Sequence, residues 1–185
     1  MSSLTRLTTI GLIHSSFKER AGTPIQPSSA EGTEGIVEVF PEYADGLQDL
    51  DGFERIWLLY WCDRAPSPRL RVVPLRDEVQ RGLFATRMPC RPNPIGLSCV
   101  RLLSIKHNVP TIDGVDILDG TPLLDIKPYV TEYDAFPQSR AGWLENCRSG
   151  RTLADDRLML SARTRLSNRP HSSLPHKRPA RRRTW

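Results

Sequence analysis

Long apolar runs are missing from this chain. Nowhere do eighteen apolar residues follow one another, so a membrane-spanning helix is not expected. The N-terminal residues hold no continuous apolar stretch of the sort a secretory signal uses, which points to a soluble, cytoplasmic protein. Cysteine is sparse as well. Cys62, Cys90, Cys99 and Cys147 form no CxxC pair and have no histidine at ligand spacing, which argues against a disulfide framework and against a metal site. They are expected to be reduced, with two or three of them buried. No GxGxxG follows a strand and no P-loop occurs, so neither nucleotide-binding motif is indicated. No Ser/His/Asp or Cys/His arrangement stands out, and there is no internal repeat.

Proline is plentiful instead, and its 16 copies oppose long uninterrupted helices. The chain's 185 residues fit one domain with an appendage. Charge is distributed unevenly along it. From Arg148 to Trp185, eleven Lys or Arg residues face only Asp155 and Asp156, whereas the preceding residues carry fifteen basic and nineteen acidic side chains. A mildly acidic body therefore precedes a strongly basic tail.

The pattern of the body is β. Leu7 to Ser15 reads as a first strand, Gly35 to Phe40 as a second, and the apolar Arg55 to Cys62 as a buried central strand. Pro41 to Leu47 reads as a short helix or turn. Extended segments follow at Leu70–Leu75 and Gly82–Thr86, then a long strand at Leu97–Ile105, with Leu97, Cys99 and Leu103 on one face and Val100 and Leu102 nearer the other. Thr111 to Leu118 contains a turn and a short strand, and Leu123 to Val130 is the last strand. Short strands with proline-rich turns and little helix predict a mainly β fold, a single sheet closed into a barrel with short helices. Trp143 and Leu144 are candidates to pack back on the body, and Leu153 to Leu160 for a short helix. From Ser161 onward Arg, Ser, Pro and His dominate, so a disordered basic tail is expected.

Polar residues cluster in loops stiffened by proline: Pro24-Ile25-Gln26, Asp63-Arg64, Arg87 with Arg91 and Asn93, and Asp116 through Thr121. Such loops can preorganise a ligand pocket, although prolines that merely keep turns from fraying would look the same. His14 reads as a satisfied structural histidine, His107 as part of an exposed turn, and Asp125 with Lys127 as a solvent-facing salt bridge.

Three stretches carry a resemblance: Arg81-Gly82-Leu83-Phe84-Ala85-Thr86-Arg87, Arg91-Pro92-Asn93-Pro94-Ile95-Gly96-Leu97-Ser98, and Leu118 through Tyr129. With Ile10 to Ser15 and Trp57 to Trp61, they make residues 8 to 136 resemble the TsaA-like family. That family includes tRNA (adenine N6)-methyltransferases acting on threonylcarbamoyl-adenosine beside the anticodon, and VirR-like proteins. The resemblance implies a β-barrel domain over residues 5–137, a peripheral segment over 138–160 and the basic tail over 161–185. It also implies a homodimer that binds S-adenosylmethionine near the subunit interface, with tRNA as the partner.

Carried over position by position, the cofactor-binding residues would be Pro24, Ile25, Gln26, Asp63, Arg64, Arg87, Leu97, Asp116, Ile117, Leu118 and Asp119. No catalytic base is assigned, with Asp63 and Asp119 as candidates, and Arg91 and Asn93 would meet the anticodon loop. Two departures bear on the substrate. Asp63-Arg64 stands where better-known bacterial members carry His-Gln, and the basic tail stands where they carry a second domain. The alternatives are therefore a methyltransferase acting on another substrate, and a non-catalytic nucleic-acid-binding or regulatory module on the same scaffold.

Overall fold

The computed structural model describes residues 6–147 and 150–155. In chain order its strands are β1 (Gly11–His14), β2 (Glu34–Val39), β3 (Arg55–Trp61), β4 (Arg71–Val72), β5 (Arg81–Gly82), β6 (Ile95–Lys106), β7 (Val109–Asp113) and β8 (Thr121–Pro128). β4 and β5 pair only with each other. The other six close one antiparallel barrel in the order β1-β2-β7-β6-β3-β8, with β8 returning to β1. Closure pairs both edges of each of these six strands, which removes the barrel's exposed edges.

Period-two alternation fills the barrel. Along β2, Val37 and Val39 point inward while Glu34, Ile36 and Glu38 point out. In the β3/β6 register, Ile56 lies opposite Val100 and Leu58 opposite Ser98, all four buried. Ile13, Ile112 and Leu123 complete a layer at 0% exposure. Each such side chain contributes about 1.5–3 kcal/mol by leaving water. On β6 the predicted faces hold: Val100 is inside, and Leu97 and Leu103 are outside. A second cluster of Val72, Leu83, Met88 and Cys90 sits beneath the β4/β5 hairpin.

Several local expectations needed correction. Within Gly82–Thr86 only Gly82 belongs to a strand; Leu83–Ala85 is a 3-10 turn, closed by the Thr86 amide and hydroxyl donating to the Leu83 carbonyl at 3.0 and 2.7 Å. Thr111–Leu118 does hold the expected short strand and turn, the strand being the end of β7 at Asp113 and the turn beginning where Gly114 takes a φ of 84°. Val115 and Ile117 then plug the barrel end from a loop. Leu153 forms no helix with its described neighbours but pairs with Pro24 in an isolated bridge. Cys90 alone among the cysteines is fully buried.

The readings of Pro41–Leu47, His107, Asp125 with Lys127, and His14 held. Pro41–Leu47 is a 3-10 helix, His107 turns the chain between β6 and β7, and Lys127 pairs with Asp125 at 2.8 Å on the surface. His14 is partnered, bonding Glu38 at 3.0 Å. Among the described residues no helix is long and apolar enough to cross a membrane, and no three His, Cys, Asp or Glu side chains gather as a metal site would need. The tail expected over 161–185 lies outside the described residues.

Candidate functional site

One barrel end gathers the C-terminal ends of β1 and β3, the N-terminal ends of β6 and β8, and the loops joining them. Between them opens a cleft of about 880 Å³. Ten of the eleven residues singled out from sequence line it: Pro24, Ile25, Gln26, Asp63, Arg64, Arg87, Leu97, Asp116, Ile117 and Leu118. They come from four loops and the start of β6, far apart in sequence, and barrel closure brings them together.

Asp119 is the exception. Its carboxylate accepts hydrogen bonds from Lys18 Nζ at 2.5 Å and from the Ser15 amide at 3.1 Å, and His14 Nδ1 lies 3.6 Å away. The Lys18 bond, joined by the Ser15 amide, holds this carboxyl below the usual range. It is an anchor for the turn, placed off the cleft.

The cleft wall is cross-tied. Arg64 Nη2 donates to the Asp119 carbonyl at 2.9 Å and to Thr121 Oγ1 at 3.0 Å, so its guanidinium pins the turn before β8. Arg20 in turn donates to the Arg64 carbonyl. Arg87 donates to Gln26 Oε1 at 2.9 Å, joining the loop after β5 to the loop after β1. Arg91 donates to the Thr86 carbonyl at 2.9 Å and lies 5.6 Å from the centroid of Phe84, whose ring is 75% exposed at the rim. Five arginines (20, 64, 76, 87 and 91) and two carboxylates (Asp63 and Asp116) line the cleft, beside apolar faces from Ile25, Leu97, Ile117 and Leu118. That combination suits a ligand carrying both anionic and amine groups on an apolar body.

Asp116 is the most perturbed carboxyl here. Burial pushes it up to about 6, against the opposing pull of a hydrogen bond from Ser98 and the charge of Arg87. Cys62, on the same wall, is pushed up to about 11 by burial and by neighbouring Asp63.

Several lining residues escaped the sequence reading. Tyr60 read as an ordinary strand residue, and so did Ser98, which does not line the cleft but is buried and bonded to two residues that do, Tyr60 and Asp116; the available signal was a lone hydroxyl at an inward position of β6. Arg20 sat unremarked in a polar loop, and Trp143, Leu144 and Ala154 join the wall from beyond β8.

Comparison with known proteins bears on this site. The profile of the tRNA-methyltransferase O N-terminal domain matches residues 12–135. A probable S-adenosyl-L-methionine-binding protein of Pyrococcus abyssi is 56% identical over 136 residues, 74% of each chain. A mouse tRNA (adenine(37)-N6)-methyltransferase is 35% identical over 137 residues, which span 70% of this chain and 32% of the mouse protein. The crystal structure of TrmO from Pseudomonas aeruginosa superposes with a TM-score of 0.66 at 36% identity, covering 78% of this chain and 63% of that one.

Proposed function

The chain belongs to the family of tRNA-methyltransferase O N-terminal domains, and from that premise we propose that it binds S-adenosylmethionine in the arginine-lined cleft and methylates N6 of threonylcarbamoyl-adenosine in the tRNA anticodon loop. The observation that carries this reading is the convergence of ten residues from five separate stretches of sequence on one cleft. Its volume lies within the range of roughly 300–1,000 Å³ that takes ligands of this size. The relatives from Pyrococcus and mouse are named for the cofactor and for the reaction respectively.

The donor set fits that cofactor. Arg87, steadied by Gln26, would meet its carboxylate, while Asp63 and Asp116 would accept from its ammonium, ribose or adenine amine. Pro24, Ile25, Leu97, Ile117 and Leu118 would flank the adenine, and the backbone at Asp119 would hold the turn that Arg64 pins. Once bound, the cofactor supplies a methyl group already activated on a sulfonium. The protein's task is then to align the acceptor nitrogen and exclude water, more than to supply a strong base. Of the two carboxylates considered for proton acceptance, Asp63 faces the cleft and Asp119 is occupied elsewhere.

Arg91 and Asn93 would approach the anticodon loop, and the basic stretch 161–185 would add phosphate attraction. Residues 5–137 form the cofactor-binding domain in this reading, with 138–160 peripheral to it, in a cytoplasmic homodimer. Light scattering at twice the chain mass supports the dimer; a stable monomer that binds cofactor refutes it. A methyltransferase on another substrate has one observation in its favour: Arg64, which with Asp63 stands where the resemblance expects His-Gln, commits Nη2 to the turn before β8.

Methylation of unfractionated tRNA from a strain lacking the endogenous enzyme, read by nucleoside mass spectrometry, tests the proposal. Conversion of threonylcarbamoyl-adenosine to its N6-methyl form is expected. Cofactor binding without any methylated nucleoside would refute the tRNA substrate.

A further inference from the structure

Gly96 lies opposite Tyr60 in the β3/β6 register, and a Cβ at position 96 would stand 2.1 Å from the tyrosine ring. Glycine therefore lets that ring cross the neighbouring strand. The crossing carries the phenol to Ser98, whose Oγ is 3.1 Å from the Tyr60 hydroxyl. Ser98 is 1% exposed, and its Oγ donates to Asp116 Oδ1 at 2.6 Å. A serine has one hydroxyl proton. Because that proton goes to Asp116, the phenol is the donor in the Tyr60–Ser98 contact. Donation runs one way, from Tyr60 to Ser98 to Asp116, and it ends on the cleft wall.

A buried serine needs a partner, but a backbone carbonyl would satisfy it at less cost than a desolvated carboxylate. We propose that Tyr60 and Ser98 are positioning residues that hold Asp116 by Oδ1, so that its second oxygen is presented to an N–H donor of the ligand in the cleft. This rests on the cofactor reading of the cleft. Neither residue belongs to the set that the resemblance assigns to the cofactor.

The groups acting on Asp116 come from several elements: Tyr60 from β3, Cys62 just after it, Ser98 from β6, and Arg87 from the loop after β5. Burial favours the neutral carboxyl, while Ser98 and Arg87 favour the anion. The hydroxyl therefore helps to keep Asp116 ionised near neutral pH.

Two measurements on the full chain test this. Carboxyl ¹³C NMR follows the Asp116 titration without ligand, and calorimetry follows binding of S-adenosylhomocysteine from pH 5 to 8. In S98A the Asp116 midpoint should move up by about one pH unit. Affinity at pH 6.5 should fall about threefold and largely recover at pH 8. Y60F should shift both in the same direction by less, and S98T, which restores the hydroxyl, should return them toward wild type. An Asp116 midpoint indifferent to S98A overturns the positioning pair, as does a loss of affinity equal at every pH. Wild-type protein that titrates as described yet takes up no S-adenosylhomocysteine overturns the cofactor reading instead.

Discussion

The indole Nε1 of Trp143 donates to the carbonyl of Ala85 at 2.8 Å, fastening a segment beyond the last strand to the turn that follows β5. The Arg81 guanidinium lies 5.4 Å from the same ring's centroid and is itself held by Asp77. Further along, the chain returns to the loop after β1. Gly22 N donates to the Ala154 carbonyl at 3.1 Å, Ile25 N to that of Thr152 at 2.9 Å, and Ala154 N to that of Thr23 at 2.8 Å. Residues 142–147 and 150–155 thus brace the cleft from two sides without entering the barrel core.

Trp143→Ala removes the indole bond and part of the cleft wall, while the barrel interior is untouched. Affinity for S-adenosylhomocysteine should drop about tenfold, equivalent to roughly 1.4 kcal/mol, with a melting temperature close to wild type. Calorimetry paired with thermal unfolding checks this. A large fall in melting temperature with unchanged affinity would make Trp143 a structural clasp only.

The position of Asp116 sets a trade between stability and binding. Its folded-state value of about 6 lies above the ordinary 3.8, so the folded protein holds this proton more tightly than the unfolded chain does. The resulting stabilisation is present below about pH 4 and is lost as pH rises toward and through 6. D116N keeps an acceptor for Ser98 and removes the charge. Above pH 6.5 it should therefore be more stable than wild type, by about 3 kcal/mol at most, while binding cofactor more weakly. Urea unfolding at pH 4.5 and 7.5 provides the test, with the advantage expected to be clearly larger at the higher pH.

The barrel was legible because alternation and proline punctuation are local signals. Val37 and Val39 against Glu34, Ile36 and Glu38 announce a half-buried strand without any tertiary information. The short elements failed for the converse reason. Leu83 and Phe84 look like strand residues, but the Thr86 hydroxyl and the buried seat of Leu83 favour a 3-10 turn. Within the cleft, Arg87 and Asp116 were found because motif resemblance carries loop residues. Tyr60 and Ser98 were not, since their pairing depends on the β3/β6 register and on the missing side chain at Gly96. Leu153 was read as helical because its bridge partner, Pro24, lies at the other end of the chain.

Gly96→Ala should test that packing directly. The added methyl must displace the Tyr60 ring, since a 2.1 Å approach cannot be sustained. Overpacking of this kind costs about 1–3 kcal/mol, measurable by urea unfolding. In a Tyr60→Ala background the same substitution should cost far less, because the clash partner is gone. Equal costs in both backgrounds would place the strain in the β6 backbone.

Two truncations separate the bracing segment from the charge beyond it. Ending the chain at residue 160 removes Arg163, Arg165, Arg169, Lys177, Arg178, Arg181, Arg182 and Arg183, and no acidic residue. The backbone bonds of Thr152 and Ala154 to the first loop are kept. If the lost cations neutralise tRNA phosphates, tRNA affinity should fall and its logarithmic dependence on salt should become shallower, by roughly 0.7 to 0.9 per lost contact. Cofactor affinity should be unchanged, because every described cleft residue precedes Asp155. Ending the chain at residue 147 also removes Ala154 and the bonds to Gly22, Thr23 and Ile25, so here cofactor affinity should fall as well. Parallel salt slopes for the full chain and the 160-residue form would reject a phosphate-contacting role for the basic stretch. Equal cofactor affinity in the 160- and 147-residue forms would show that the first loop holds its shape without the returning segment.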